Sequence, residues 1–290
     1  MKQWSLVLLA TAIGGLSSCN NDQEPVLEDN LIRLEAVHPA QTRVTDTNFE
    51  NKDRIGVYVV TAGELPQVGG NVVNNEVFSF DGSSWKSARK LYWNEGKHDV
   101  YAYYPYGQPV NDTKSYTFTV ATDQNSSEDA NGLSGYEASD FLWATTKDVA
   151  ASADPVKLKF SHRMSNLVVK LQKGEDYEGD LPASAEVYVH NTVPVASINL
   201  STGDVSKDIY ASEVTIKAKR LSAAEYRACI VPQRVSTRVP LVEIIVEDIA
   251  YLVESTFSFQ QGYRHTILVT LSKNPDQTKI EIGGSIGGWE

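Results

Sequence analysis

The sequence predicts an all-β protein, and three observations carry that expectation. Apolar residues beyond residue 30 alternate with polar ones at period two. β-Branched and aromatic residues fill those stretches, and turn signals such as Asp81-Gly82, Asn131-Gly132 and Thr202-Gly203-Asp204 separate them. A strand turns successive side chains to opposite faces, so period two marks a sheet with one face against a core. In chain order the strand patterns are Leu31–Val37, Ile55–Val60, Asp99–Tyr104, Val156–Phe160 and Ser165–Leu171, then Val214–Ala218, Leu241–Glu247, Thr266–Leu271 and Lys279–Ile286. No sustained stripe at i, i+3, i+4, i+7 appears; Glu137–Phe141 is long enough for a single helical turn. Short strands divided by frequent turns describe β-sandwiches.

The first residues read differently. Lys2 gives a positive start, Leu6–Ile13 a short apolar run, and Leu16-Ser17-Ser18 leads into Cys19. The run is too short for a membrane-spanning helix in the mature protein, and no second candidate follows. The segment resembles a bacterial lipoprotein signal. In that class residues 1–18 are removed and Cys19 carries acyl chains, two or more of which give a durable membrane anchor. Asn20–Pro25 is polar and acidic, and residues 19–30 read as a flexible tether.

Composition narrows the function. The chain has 290 residues, 22% of them charged, with a formal net charge of −11; loss of residues 1–18 removes only Lys2 and leaves −12. An acidic surface argues against nucleic acid as a partner. The polar stretch 148–155 suggests a division into residues 31–155 and 156–290, each of ordinary domain size with about seven strands. With Cys19 lipidated, Cys229 has no disulfide partner and reads as a small apolar strand residue.

A search for catalytic or metal-binding patterns yields none. Gly283-Gly284-Ser285-Ile286-Gly287 matches G-x-S-x-G, but the motif needs a strand–turn–helix elbow and three residues follow it here. Residues 123–129 offer oxygen ligands at odd positions, yet the sixth position is Glu128 and the twelfth is Ser134, unlike a calcium loop. His38, His98, His162, His190 and His265 show no zinc spacing. Asp99 and Asp248 read as strand-end residues rather than a carboxylate pair. Trp85 and Trp93 would suit sugar stacking only if exposed, and a Trp in a sandwich is more often core. No catalytic residue, metal or cofactor is expected.

The order of landmarks is more specific. Thr42–Phe49 precedes Asp53–Tyr58; Leu91-Tyr92-Trp93, Tyr103–Tyr106, Phe160–Leu167, Ile230–Gln233 and Gly288-Trp289 follow. This series resembles the fimbrillin family, lipoprotein-derived pilus subunits of Gram-negative anaerobes, and its fimbrillin-like branch of cell adhesion proteins. The resemblance implies two tandem transthyretin-like Greek-key sandwiches. It also implies assembly: an outer-membrane lipoprotein precursor is cut by a trypsin-like protease in the loop after its first strand. That strand leaves, and an extended segment of another pilus subunit fills the groove. Leu31–Val37, with Ile32, Leu34 and Ala36 on one face, matches the removable strand, and Arg43 in the Pro-containing linker matches the cleavage point, Arg33 and Arg54 being less accessible rivals. Lys279–Ile286 places Ile280, Ile282 and Ile286 on one face, as a donor strand or as the last strand of the second sandwich. Trp289 could be a buried anchor or an exposed aromatic. The family pattern puts His162 at the entrance to the second domain, with backbone as its expected partner. A different class of function remains beside this one, a monomeric lipid-anchored glycan-binding module.

Overall fold

The computed structural model describes residues 30–38, 48–107, 109–130, 132–236, 239–246, 249–274, 276 and 278–289, with backbone alone for 282–286. The fold is all-β. Its only helical element among the described residues with a named span is a 3₁₀ turn at Glu137–Ser139. The chain begins with strands β1 (Leu34–Val37), β2 (Arg54–Thr61), β3 (Val73–Phe80), β4 (Trp85–Ser87), β5 (Lys97–Tyr104) and β6 (Tyr116–Thr119). It continues with β7 (Leu142–Ala150), β8 (Val156–Lys159) and β9 (Ser161–His162).

Strands β4-β3-β2-β5-β7-β9 form a six-stranded sheet in that order, and β1 pairs in parallel with β8 in a separate two-stranded sheet. Ile55, Val57, Val59, Val100, Ala102, Leu142 and Ala144 from the large sheet pack with Ile32, Leu34, Val156, Leu158 and Phe160 in one core. The alternate residues Tyr58, Val60, Tyr101, Tyr103 and Trp143 belong to a second core that runs on into the rest of the molecule. Apolar burial on both faces explains why β2 and β5 are buried almost without interruption rather than at every second residue.

The remaining strands are β10 (Ser165–Lys173), β11 (Glu186–Thr192), β12 (Val195–Asn199), β13 (Asp204–Lys207), β14 (Val214–Lys217), β15 (Lys219–Arg220) and β16 (Glu225–Ile230). Then come β17 (Gln233–Val235), β18 (Pro240–Val246), β19 (Ile249–Glu254), β20 (Phe257–Phe259), β21 (Tyr263–Leu271) and β22 (Lys279–Gly288). They form a five-stranded sheet β15-β16-β10-β21-β22, a four-stranded sheet β14-β11-β18-β19 and a small pair β17-β20. Leu167, Val169, Ile267 and Val269 of the first meet Val187, Val189, Val242 and Ile244 of the second in a shared core.

Two features differ from the expected division. Val156–His162 pairs with β1 and β7, so the sheets divide after His162 rather than at residue 155. The polar stretch before Val156 is a crossover within the first body, since β7 already runs to Ala150. Strand β6 pairs with β12 in the sheet β13-β12-β6, so the first half also supplies a strand to a sheet built with the second. Strand numbers exceed seven per half because pieces of two or three residues, such as β9 and β15, are too short to show a period.

Candidate assembly site

Strand β1 sits over the first core. Ile32 and Leu34 are buried, Ala36 is half-buried against the same core, and Glu35 and Val37 face outward, the pattern its alternation demands. Its register with β8 runs from Leu34 opposite Val156 to Val37 opposite Lys159. The N–H of Val156 donates to the Arg33 carbonyl at 2.9 Å, and that of Phe160 to the Val37 carbonyl at 3.0 Å. On its other side the Ile32 N–H donates to the Leu91 carbonyl at 2.8 Å, and the Trp93 N–H to the Asn30 carbonyl at 3.0 Å. The Arg33 guanidinium donates to the Ala153 carbonyl at 2.7 Å, so Arg33 is engaged at the strand. Without this ribbon, the N–H groups of Trp93, Val156 and Phe160 would lose their acceptors beside an opened apolar furrow. Each buried donor left unpaired costs about 1–3 kcal/mol.

Beside the end of β1, His38 borders a cavity of about 290 Å³ with Phe49, Asp53, Tyr104, Glu137 and Asp140 among its walls. Burial raises the Asp53 pKa, although the carboxyl accepts the Glu50 N–H at 2.6 Å and the Tyr104 hydroxyl at 3.0 Å. Burial, reinforced by the adjacent Asp53 charge, holds the Tyr104 hydroxyl well above its ordinary value. Tyr104 is therefore a neutral donor to Asp53.

Strand β22 is an edge of the five-stranded sheet, antiparallel to β21. Ile280 stands opposite Val269, Ile282 opposite Ile267 and Ile286 opposite His265. Ser285 pairs with Thr266 while Ile282 pairs with Ile267, so Gly283 and Gly284 are two extra residues on β22. An insertion of two preserves the alternation, and the three isoleucines keep register positions opposite one face of β21. Ile280 packs against the second core. The G-x-S-x-G match lies inside this strand and its bulge, which is not the elbow that hydrolase chemistry requires. Burial lowers the pKa of His265, whose Nε2 accepts the Gln260 N–H at 3.3 Å.

The residue after β22 packs against the end of β9. Trp289 is 2% exposed, and its indole lies flat on the His162 imidazole, with centroids 3.8 Å apart and planes within 5°. The backbone N–H of Trp289 donates to the Gly262 carbonyl at 2.7 Å. Gly262 has a φ of 70°, and a Cβ there would crowd the His162 carbonyl at 3.1 Å. His162 Nδ1 is 2.8 Å from Asp140 Oδ1, and the His38 ring stands edge-on to it at 5.9 Å. His162 thus makes side-chain contacts with a carboxylate and an indole, where backbone was expected. Trp289 is a buried anchor.

The other sequence candidates fall as follows. Cys19 and Arg43 lie outside the described residues. Trp85 and Trp93 are buried in the first core, which leaves neither as a platform for a sugar. Asp99 is structural: it accepts the N–H groups of Gly63 and Asp148 and pairs with Lys147 at 3.0 Å. Burial would raise its pKa, but these partners hold it below the ordinary value. Cys229 is fully buried in β16, and the Gln124 side chain bonds its backbone N–H and carbonyl at 2.8 and 2.7 Å. The roles of His38, Asp140 and Gly262 around His162 and Trp289 were not signalled by composition or spacing.

Residues 42–289 match the model of the family described as fimbrillin-like. The chain belongs to the fimbrillin-like family. It is 27% identical over 224 residues to "Putative fimbrium tip subunit Fim1C" of Bacteroides ovatus, across 68% of this chain and 41% of that protein. It is 28% identical over 216 residues to "Putative fimbrium subunit Fim1C" of Bacteroides uniformis, across 70% of this chain and 67% of that one. The match therefore spans less than half the length of the first of these relatives. A crystal structure of a "putative cell adhesion protein" from Bacteroides ovatus superposes with a TM-score of 0.69 at 19% identity, covering 90% of this chain and 98% of the other. The tip fimbrial protein Mfa3 of Porphyromonas gingivalis, C-terminally truncated, gives 0.51 at 9% identity, covering 82% and 94%. At these identities the superpositions establish the shared fold. Membership in this family implies a cell-surface location.

Proposed function

We propose that this fimbrillin-like protein is a pilus subunit or surface adhesin that is exported as an outer-membrane lipoprotein through Cys19 and matured by hydrolysis after Arg43. Strand β1 then departs, and an extended segment of another subunit, for which Ile280, Ile282 and Ile286 of β22 are the candidates, takes its place. The seat of β1 is the observation that supports this reading. A short strand, with buried Leu34 in it and buried Ile32 just before it, packs in the first core, and its hydrogen-bond partners are distant in sequence. A neighbour's strand can restore both the apolar cover and the ladder, which is β-strand addition in its general form.

Magnitudes allow this without making it automatic. Three buried isoleucines contribute about 1.5–3 kcal/mol each and new backbone hydrogen bonds about 0.5–1.5 kcal/mol each. Association costs about 4–15 kcal/mol before affinity appears. A durable fibre therefore needs further subunit contacts or slow dissociation. The direct test is Arg43→Ala, treated with a trypsin-type protease beside the parent chain and followed by electron microscopy. The parent is expected to form polymers and the variant to stay monomeric. Equal polymerisation of the two would overturn Arg43 as the processing point.

A further inference from the structure

The two ends of the proposed exchange touch a common side chain. His162 receives the His38 ring from the end of β1 on one side and the Trp289 indole from the end of β22 on another. The backbone repeats the connection. Val37 accepts the N–H of Phe160, two residues before His162, and Gly262 joins the Met164 carbonyl at 3.0 Å to the Trp289 N–H at 2.7 Å. Strand β9, which carries His162, is only two residues long, and its ladder to β7 pairs just Leu142 with His162 and Trp143 with Ser161. The position of the imidazole therefore leans on β1 and the residue after it through Val37 and His38, and on the segment before β7 through Asp140.

We infer that His162 is a coupling latch: β1 in its seat holds the imidazole against Trp289 and keeps β22 docked, and departure of β1 loosens the β22 edge. This deepens the strand-exchange reading, on which its biological role rests, by giving the donor a reason to be released only in a subunit whose groove has opened. Cleavage and release are then one event instead of two independent ones, and uncut precursors keep their donors sheathed. Coupling of this kind is reciprocal, because a free-energy link between two sites acts equally in both directions. Loss of the Trp289 contact should therefore loosen β1, just as loss of the His38 contact loosens β22.

Reciprocity supplies a test that needs no cleavage. Amide hydrogen exchange is measured on the intact lipid-free chain and on His38→Ala, Trp289→Ala, Trp289→Phe and the His38→Ala/Trp289→Ala pair, with Tyr210→Ala as an exposed control. An aromatic contact is worth a factor of about 2–10 in an opening equilibrium. The latch predicts that His38→Ala speeds exchange across residues 263–289 by about that factor, and that Trp289→Ala does the same across 156–162. Trp289→Phe keeps a stacking ring and stays near the parent, and the pair shows less than the product of the singles. Acceleration confined to each variant's own strand would overturn the latch. A second arm places a site-specific protease sequence within residues 39–47 and cuts it. If β1 dissociates and residues 263–289 stay as protected as before, the latch is wrong. If β1 remains bound after cutting, the processing reading fails, while the exchange data on the uncut chain still decide the latch.

Discussion

Leu34→Asp is expected to destabilise the uncut precursor by about 3–5 kcal/mol and to leave the assembled, processed form unchanged. Leu34 is 6% exposed and packs in the first core among buried hydrophobic residues. An unpaired carboxylate buried there belongs to the small class of substitutions with effects this large. For a chain of this size the loss corresponds to a fall in Tm of about 10 °C. Leu34→Ala should give a milder version, about 2–4 kcal/mol from lost transfer energy and the remaining cavity. The asymmetry is the informative part. If β1 leaves on maturation, residue 34 leaves with it, and filaments assembled from the variant will melt like the parent's. Filaments weakened in proportion to the precursor would show that β1 stays in its seat.

The second large effect concerns the layer between the cores. Gly56 lies in β2, opposite Tyr103 of β5 and Val77 of β3. A Cβ built on it would overlap the Tyr103 ring and approach Asn75 Oδ1 to 2.6 Å. Tyr103 cannot step aside. It is 1% exposed, stacked on Phe141 at 5.9 Å, beside Tyr116 at 5.3 Å, and tied through its hydroxyl to Asn75 at 3.0 Å. Burial raises its pKa far above the ordinary phenol value, so it remains a neutral donor. Gly56→Ala should cost about 2–3 kcal/mol by overpacking, measured by denaturant unfolding, and Gly56→Val more. Unlike Leu34→Asp, this loss should persist after processing, because β2 stays in the subunit. A change below about 0.5 kcal/mol would show that the ring has room the structure does not give it. The two variants together separate damage to the removable ribbon from damage to the permanent frame.

Much of this architecture was legible in the residues. Alternation in Leu31–Val37 put Ile32, Leu34 and Ala36 on one face, which is the face turned to the core, and the period-two run Thr266–Leu271 is a strand buried at every second residue. A period reports which face of a strand is buried; it does not report the strand's partner. The parallel pairing of β1 with β8 joins residues about 120 positions apart in the chain, and no local pattern encodes that distance. The boundary at 155 misled for the same reason, since a polar crossover within one body looks like a linker between two. The stacking of Trp289 on His162 was likewise invisible. Each residue stood out alone, but only the fold brings their rings to 3.8 Å. Nor did the pattern show that one sheet would be apolar on both faces, although the unbroken run Val57-Tyr58-Val59-Val60 carries that information once the second core is known.

Assembly by strand replacement requires β1 to be removable, and the composition of an assembled fibre addresses that most directly. Filaments purified from the cell surface, stripped of loosely bound peptide and measured by intact mass, should contain subunits that begin at Val44 and lack residues 19–43. Subunits retaining Leu31–Val37 in those filaments would contradict strand replacement as the means of assembly.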